Sequence, residues 1–217
     1  MRTLVVVVLL AGAARAQSVK DALAHHPGLV DAATIGKELQ VELKYATRDN
    51  FLGRSVYGDL AACWLQRDAA DMLARAQDAL VRAHPDLRLH VYDCARPSWV
   101  QRAMWAIVKD TPRRPYVADP AKGSIHNFGC AVDLTVAARD GTPVDMGTPF
   151  DTFGDLARPD REIDALEEGK LTGAQVANRL VLREAMLRAG FRMLANEWWH
   201  FDCASHADTR KKYKIIP

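Results

Sequence analysis

The sequence predicts an α+β fold, a single domain with a central antiparallel sheet flanked by helices, on three observations. Apolar residues from Leu65 onward recur at helical spacing. Segments near 87–92, 130–136 and 191–202 read as strands. The two kinds of segment do not alternate as regular βαβ units, and no repeat, low-complexity tract or linker divides the 217 residues.

The first residues stand apart from this domain. Met1-Arg2 is a short basic start, Leu4 to Ala11 is apolar without a break, and Ala14-Arg15-Ala16 puts small residues at −3 and −1 of a cleavage site. That is the layout of a secretory signal peptide over residues 1–16, too short to span a bilayer. The folded domain is then expected at 17–217, exported to a periplasmic or extracellular space. Cleavage would remove Arg2 and Arg15 and take the formal charge from +2 to 0. A neutral chain offers no field for nucleic acid or anionic lipid, and no later stretch is long enough to anchor it in a membrane. Oligomeric state is not legible.

Along the domain, Leu65, Ala69, Met72, Leu73, Ala76 and Leu80 predict a helix ending before Pro85. Leu87, Leu89 and Val91 predict one face of a strand over 87–92. A turn at Arg96-Pro97 leads into a helix over about 98–109, and Pro112, Pro115 and Pro120 mark a loop. In the strand over 130–136, Cys130, Val132, Leu134 and Val136 share one face, and Ala131, Asp133 and Thr135 the other. A Pro/Gly/Asp-rich excursion follows over 140–159. Residues 172–189 read as a helix with Val176, Leu180, Met186 and Leu187 near one side, stopped by Gly190. Strands are expected over 191–194 and 198–202. Cys63, Cys94, Cys130 and Cys203 form no CxxC pair, which argues against a cysteine-built zinc site. In an oxidising compartment they suggest up to two disulfides, with three pairings open.

Two segments concentrate chemistry. In Ser124-Ile125-His126-Asn127-Phe128-Gly129-Cys130-Ala131-Val132-Asp133, positions seven apart on a continuous strand would face opposite ways. If Gly129 ends a loop, His126 folds back over the face carrying Asp133, a carboxylate in an otherwise apolar strand that is costly to bury unpaired. In Glu197-Trp198-Trp199-His200-Phe201-Asp202, a strand puts His200 on one face with Trp198 and Asp202, and Trp199, Phe201 and Cys203 on the core side. Glu197 then needs a break near Trp198 to reach His200. Two imidazoles and a carboxylate are a three-ligand catalytic zinc set, and a neighbouring Glu that does not bind the metal suits a general base. Taken singly, a histidine beside aromatic residues is usually structural and a strand Asp usually hydrogen-bonded; the combination is what carries the reading. His25, His26, His84, His90 and His206 are expected at the surface, and the helical HExxH motif is absent.

These motifs, with Leu43-Lys44-Tyr45-Ala46-Thr47-Arg48-Asp49-Asn50-Phe51, Tyr92-Asp93-Cys94-Ala95-Arg96-Pro97 and Met146-Gly147-Thr148-Pro149-Phe150-Asp151, resemble the VanX-type D-Ala-D-Ala dipeptidases. That family lies within the zinc D,D-peptidases of Hedgehog-like fold, and the match runs from about residue 41 to 202. The resemblance implies one zinc ion on His126, Asp133 and His200, with Glu197 activating water and Arg96 stabilising the oxyanion. Asp151 would pair with the substrate ammonium, and Tyr45 and Ser124 would line a pocket for a small dipeptide. Pro97 biases Arg96 toward extended backbone. Ala95 departs from the family's frequent aromatic, and the segment between Pro97 and Ser124 is short. Two other readings stay open: a D,D-carboxypeptidase for longer stem peptides, and a zinc-stabilised binding module like Hedgehog. The first is opposed by an ammonium anchor, which demands a free N-terminus. The second is opposed by Glu197 and Arg96, which a structural zinc does not need.

Overall fold

The structure is a computed structural model that describes residues 18–217; the expected leader at 1–16 lies outside them. In chain order the elements are α1 (Val19–Ala24), β1 (Leu29–Asp31), β2 (Gln40–Val41), β3 (Trp64–Gln66), α2 (Arg67–Ala83), β4 (Leu87–Asp93) and α3 (Ser98–Val108). They continue with β5 (Ala131–Ala138), α4 (Glu162–Glu167), α5 (Gly173–Arg188), β6 (Arg192–Met193), β7 (His200–Asp202) and α6 (His206–Lys212). β1 and β3 form a small antiparallel pair, and the central sheet has the order β2-β4-β5-β7-β6. Its ladders are antiparallel, as expected, except at the edge, where β2 runs parallel to β4. Two residues of β2 were too short a signal to read from periodicity.

The alternation in β4 and β5 divides the sheet into two unlike faces. Leu89, Val91, Val132, Leu134 and Val136 are fully buried on one side, where α2 and α5 cover them. Ala69, Leu73, Ala76 and Leu80 of α2 meet that face, each buried; a leucine so placed contributes roughly 1.5–3 kcal/mol. Leu65, expected in the helix, belongs instead to β3, so α2 starts at Arg67. The opposite face carries Asp133, Thr135 and His90.

Three expectations need correction. In α5 the inward side carries Arg179, Leu182, Ala185 and Met186, while Leu180 and Leu187 are each 44% exposed. A buried arginine occupies the position that apolar counting assigned to leucine, and each helical step of about 100° turns the neighbour outward. Trp198 and Trp199 are buried in a turn ahead of β7, not within it. His90 is buried on β4 beside Tyr92 and Glu42, because a central strand leaves no surface position on either side.

The cysteines pair as Cys63–Cys94 and Cys130–Cys203. The second bond ties the start of β5 to the end of β7. It closes 73 residues, for which loop-closure entropy gives about 4 kcal/mol. Replacing Cys130 and Cys203 together by alanine is therefore expected to lower unfolding stability by about 2–5 kcal/mol, read from the urea midpoint. An unchanged midpoint would contradict this.

Candidate metal centre and its cavity

His126 reaches the sheet because the chain before β5 turns back on itself. Residues 125–128 form a short 3-10 turn capped by Ser124, whose hydroxyl accepts the His126 N–H, while Asn127 reaches back to the Ser124 N–H. Gly129 ends it at φ +67°. A Cβ there would meet Leu29 Cδ2 at 2.5 Å and sit on a left-handed backbone, both of which favour glycine. Asp133 sits opposite His200 in the β5–β7 ladder, where facing residues stand closest. Glu197 precedes the strand, in the break that its reach to His200 required.

The three donor groups converge. His126 Nε2 lies 3.3 Å from His200 Nδ1 and 3.4 Å from Asp133 Oδ1, and His200 Nδ1 lies 2.9 Å from Asp133 Oδ1. Donors about 2.0–2.1 Å from a tetrahedral ion stand roughly 3.3 Å apart, so the spacing suits zinc. The far side of each ring fixes its tautomer. His126 Nδ1 donates to the Cys94 carbonyl at 2.7 Å, and His200 Nε2 to Asp202 Oδ1 at 2.9 Å. With those tautomers, lone pairs of His126 Nε2, His200 Nδ1 and Asp133 would point at one spot, where a shared cation is required: a proton on His200 Nδ1 held by Asp133 at 2.9 Å, or a metal ion in its place. A nitrogen- and oxygen-seeking divalent ion answers all three, and outer partners of this kind are what orient metal-binding histidines. His126, Asp133 and His200 are the group among the described residues that could hold an ion.

Charges around the centre are strongly shifted. Burial works against a protonated His200, but Asp133 and Asp202 outweigh it and raise its pKa well above the imidazole range. Burial likewise opposes ionised Asp133, and the two imidazoles overcome it and depress its pKa. Glu197 is raised by burial, against the pull of His200 at 3.9 Å.

Arg96 is buried and held from three sides. It pairs with Asp93, and its Nη1 donates to Gln101 Oε1 at 2.8 Å and its Nε to the Tyr57 hydroxyl at 3.3 Å. Three of a guanidinium's five N–H donors are spent, leaving two for the cavity. Tyr57 in turn donates to Asp93 at 2.6 Å. Cys94, bonded to Cys63, lies between Asp93 and Arg96 and offers the carbonyl that orients His126. Asp151 adopts φ +62°, a left-handed backbone costing about 1–2 kcal/mol outside glycine. The Tyr45 hydroxyl donates to its carboxylate at 3.1 Å. Burial and then the Asp133 charge raise the Asp151 pKa well above the carboxylate range, despite that hydrogen bond.

All eight residues singled out in the sequence (Tyr45, Arg96, Ser124, His126, Asp133, Asp151, Glu197 and His200) line one cavity of about 220 Å³. Tyr116 and Phe153, with ring centroids 4.3 Å apart, also line it. Sequence reasoning missed Asp93, Tyr57, Gln101 and Asp202 as supports. Only Asp202 carried a signal, since it lies two residues beyond His200 on the same strand face.

Known proteins resemble this chain over most of its length. The profile described as D-ala-D-ala dipeptidase, a peptidase family, matches residues 25–216. A D-alanyl-D-alanine dipeptidase of Escherichia coli (strain K12) is 36% identical over 174 residues, 80% of this chain and 83% of that protein. One from Streptomyces coelicolor is 31% identical over 200 residues, covering 80% of this chain and 91% of its own. One from Enterococcus faecium is 30% identical over 177 residues, covering 74% and 83%. The match spans nearly all of the described chain, and the chain belongs to the D-ala-D-ala dipeptidase family of peptidases.

Proposed function

We propose that this protein is an exported zinc dipeptidase that hydrolyses D-alanyl-D-alanine, the substrate in its relatives' names. The observation that carries the reading is the convergence of three lone-pair donors beside Glu197 and Asp151 in one small cavity. His126, Asp133 and His200 would hold the ion. Zinc bound there would supply Lewis-acid polarisation of the scissile carbonyl and a water acidic enough to react at neutral pH.

The chain's own groups do the rest. Asp151, oriented by Tyr45, takes the substrate ammonium, whose charge relieves a carboxylate otherwise raised by burial and by Asp133. Glu197 takes a proton from the attacking water and returns it to the leaving amine. Arg96 offers its two free N–H groups to the oxygen that gains charge, pre-aimed by Asp93, Gln101 and Tyr57. Ser124 lines the pocket while its hydroxyl caps the turn that carries His126. A cavity of about 220 Å³, below the ~300–1,000 Å³ of drug-sized sites, favours a dipeptide over a longer stem peptide. Two disulfides fit an oxidising compartment, which supports export.

The test is release of free alanine from D-Ala-D-Ala, L-Ala-L-Ala and N-acetyl-D-Ala-D-Ala, with and without a chelator. D-Ala-D-Ala is expected to be cleaved, and chelation to stop it. Acetylation removes the charge that Asp151 reads, and losing one partner of a buried ion pair costs about 2 kcal/mol or more, roughly 30-fold in kcat/KM. Equal cleavage of the acetylated compound would contradict the ammonium anchor.

A further inference from the structure

Asp151 sits near the apex of an excursion whose first arm leaves the sheet after Val144, whose N–H donates to the Val136 carbonyl at 2.9 Å. Gln175 and Asn178 of α5 hold Asp145 in the first arm, and one side chain on the inward face of the same helix reaches both arms. Arg179 is 1% exposed, and its Nε donates to the Met146 carbonyl at 2.7 Å while its Nη2 donates to the Leu156 carbonyl at 2.8 Å. Nη2 also lies 3.5 Å from Thr148 Oγ1, and Nη1 lies 3.4 Å from Glu162 Oε1. Arg183 shares Glu162 at 2.6 Å.

One guanidinium thus spans both arms, with Asp151 between them. The same network reaches the other side of the cavity. Thr148 Oγ1 accepts the Trp198 indole N–H at 2.8 Å, the Trp198 backbone N–H donates to the Ala157 carbonyl at 3.0 Å, and Trp198 follows Glu197 directly. A planar five-donor fork suits this bridging, which a lysine point charge does not reproduce.

We propose that Arg179 is a positioning residue for substrate binding: by gripping both arms of the 146–156 excursion it holds Asp151 at the ammonium subsite. This rests on Asp151 being the ammonium anchor. A carboxylate displaced by about 1 Å loses much of its directed attraction, which in enzyme sites costs up to roughly 100-fold.

The experiment uses the full folded protein with two variants, Arg179→Lys and Arg179→Met. In the second, Glu162 keeps its pairing with Arg183 at 2.6 Å, so no carboxylate is orphaned in the core and simple misfolding is guarded against. Steady-state kinetics on D-Ala-D-Ala, zinc content, and amide hydrogen exchange over residues 147–155 are read together. Expected are a KM about tenfold higher, kcat within about threefold, zinc retained, and faster exchange over 147–155. An unchanged KM in a folded variant overturns the proposal, and so does a kcat that falls together with zinc content. If wild-type protein does not cleave D-Ala-D-Ala, the ammonium-anchor reading fails by itself. The clamp is then judged by exchange, and unchanged protection over 147–155 overturns it.

Discussion

Replacing Glu197 by glutamine is expected to lower kcat by about 10²–10⁴-fold while zinc stays bound at wild-type stoichiometry. The size follows from the role. Glutamine keeps the shape and hydrogen-bonding of the side chain but cannot take a proton from water. The selectivity follows from position. Glu197 lies outside the donor triad, 3.9 Å from His200 Nδ1, whereas His126, Asp133 and His200 stand within hydrogen-bond range of one another. Kinetics on D-Ala-D-Ala with zinc analysis checks it. Activity within about threefold of wild type, or loss of zinc, would remove Glu197 from the role of base.

Arg96→Lys is expected to cost about 10²–10³-fold in kcat, the usual effect of losing one oxyanion donor. Lysine keeps a positive charge beside buried Asp93, so the core is spared the ~3–5 kcal/mol of an orphaned ion. What it lacks is the fork that satisfies Asp93, Gln101 and Tyr57 and still has donors for the substrate. Arg96→Ala adds that structural loss. The two variants are therefore expected to separate: similar kcat defects, but a thermal midpoint lowered more in the alanine form. A kcat within threefold of wild type in Arg96→Lys would contradict the oxyanion role.

The parts of the site that the sequence made legible are those with short-range signatures. Gly129 between His126 and β5 foretold the fold-back, because a strand alone would have sent His126 and Asp133 to opposite faces. The spacing from Glu197 to His200 foretold a break before β7, and the tryptophans turn there. The supports were not legible because they join distant segments. Cys94 orients His126 through a backbone carbonyl, which has no residue signature, and Tyr57 reaches Asp93 across 36 positions. The disulfide pairing depended on which strand ends meet, and that follows from sheet order, not from cysteine spacing. Arg179 was invisible for a different reason: apolar periodicity assigns a helix's inward side to its leucines, and here a buried guanidinium with four hydrogen-bond partners takes that side while Leu180 faces outward.

Zinc binding tests the central claim most directly. Equilibrium dialysis of the wild-type protein and of His126→Ala against buffered zinc is expected to give one tightly held ion per wild-type chain. The variant is expected to bind at least about 100-fold more weakly, since loss of outer partners alone costs ~10–100-fold. Wild-type protein that takes up no zinc, or a His126→Ala protein that binds it equally well, would contradict the claim that His126, Asp133 and His200 share an ion.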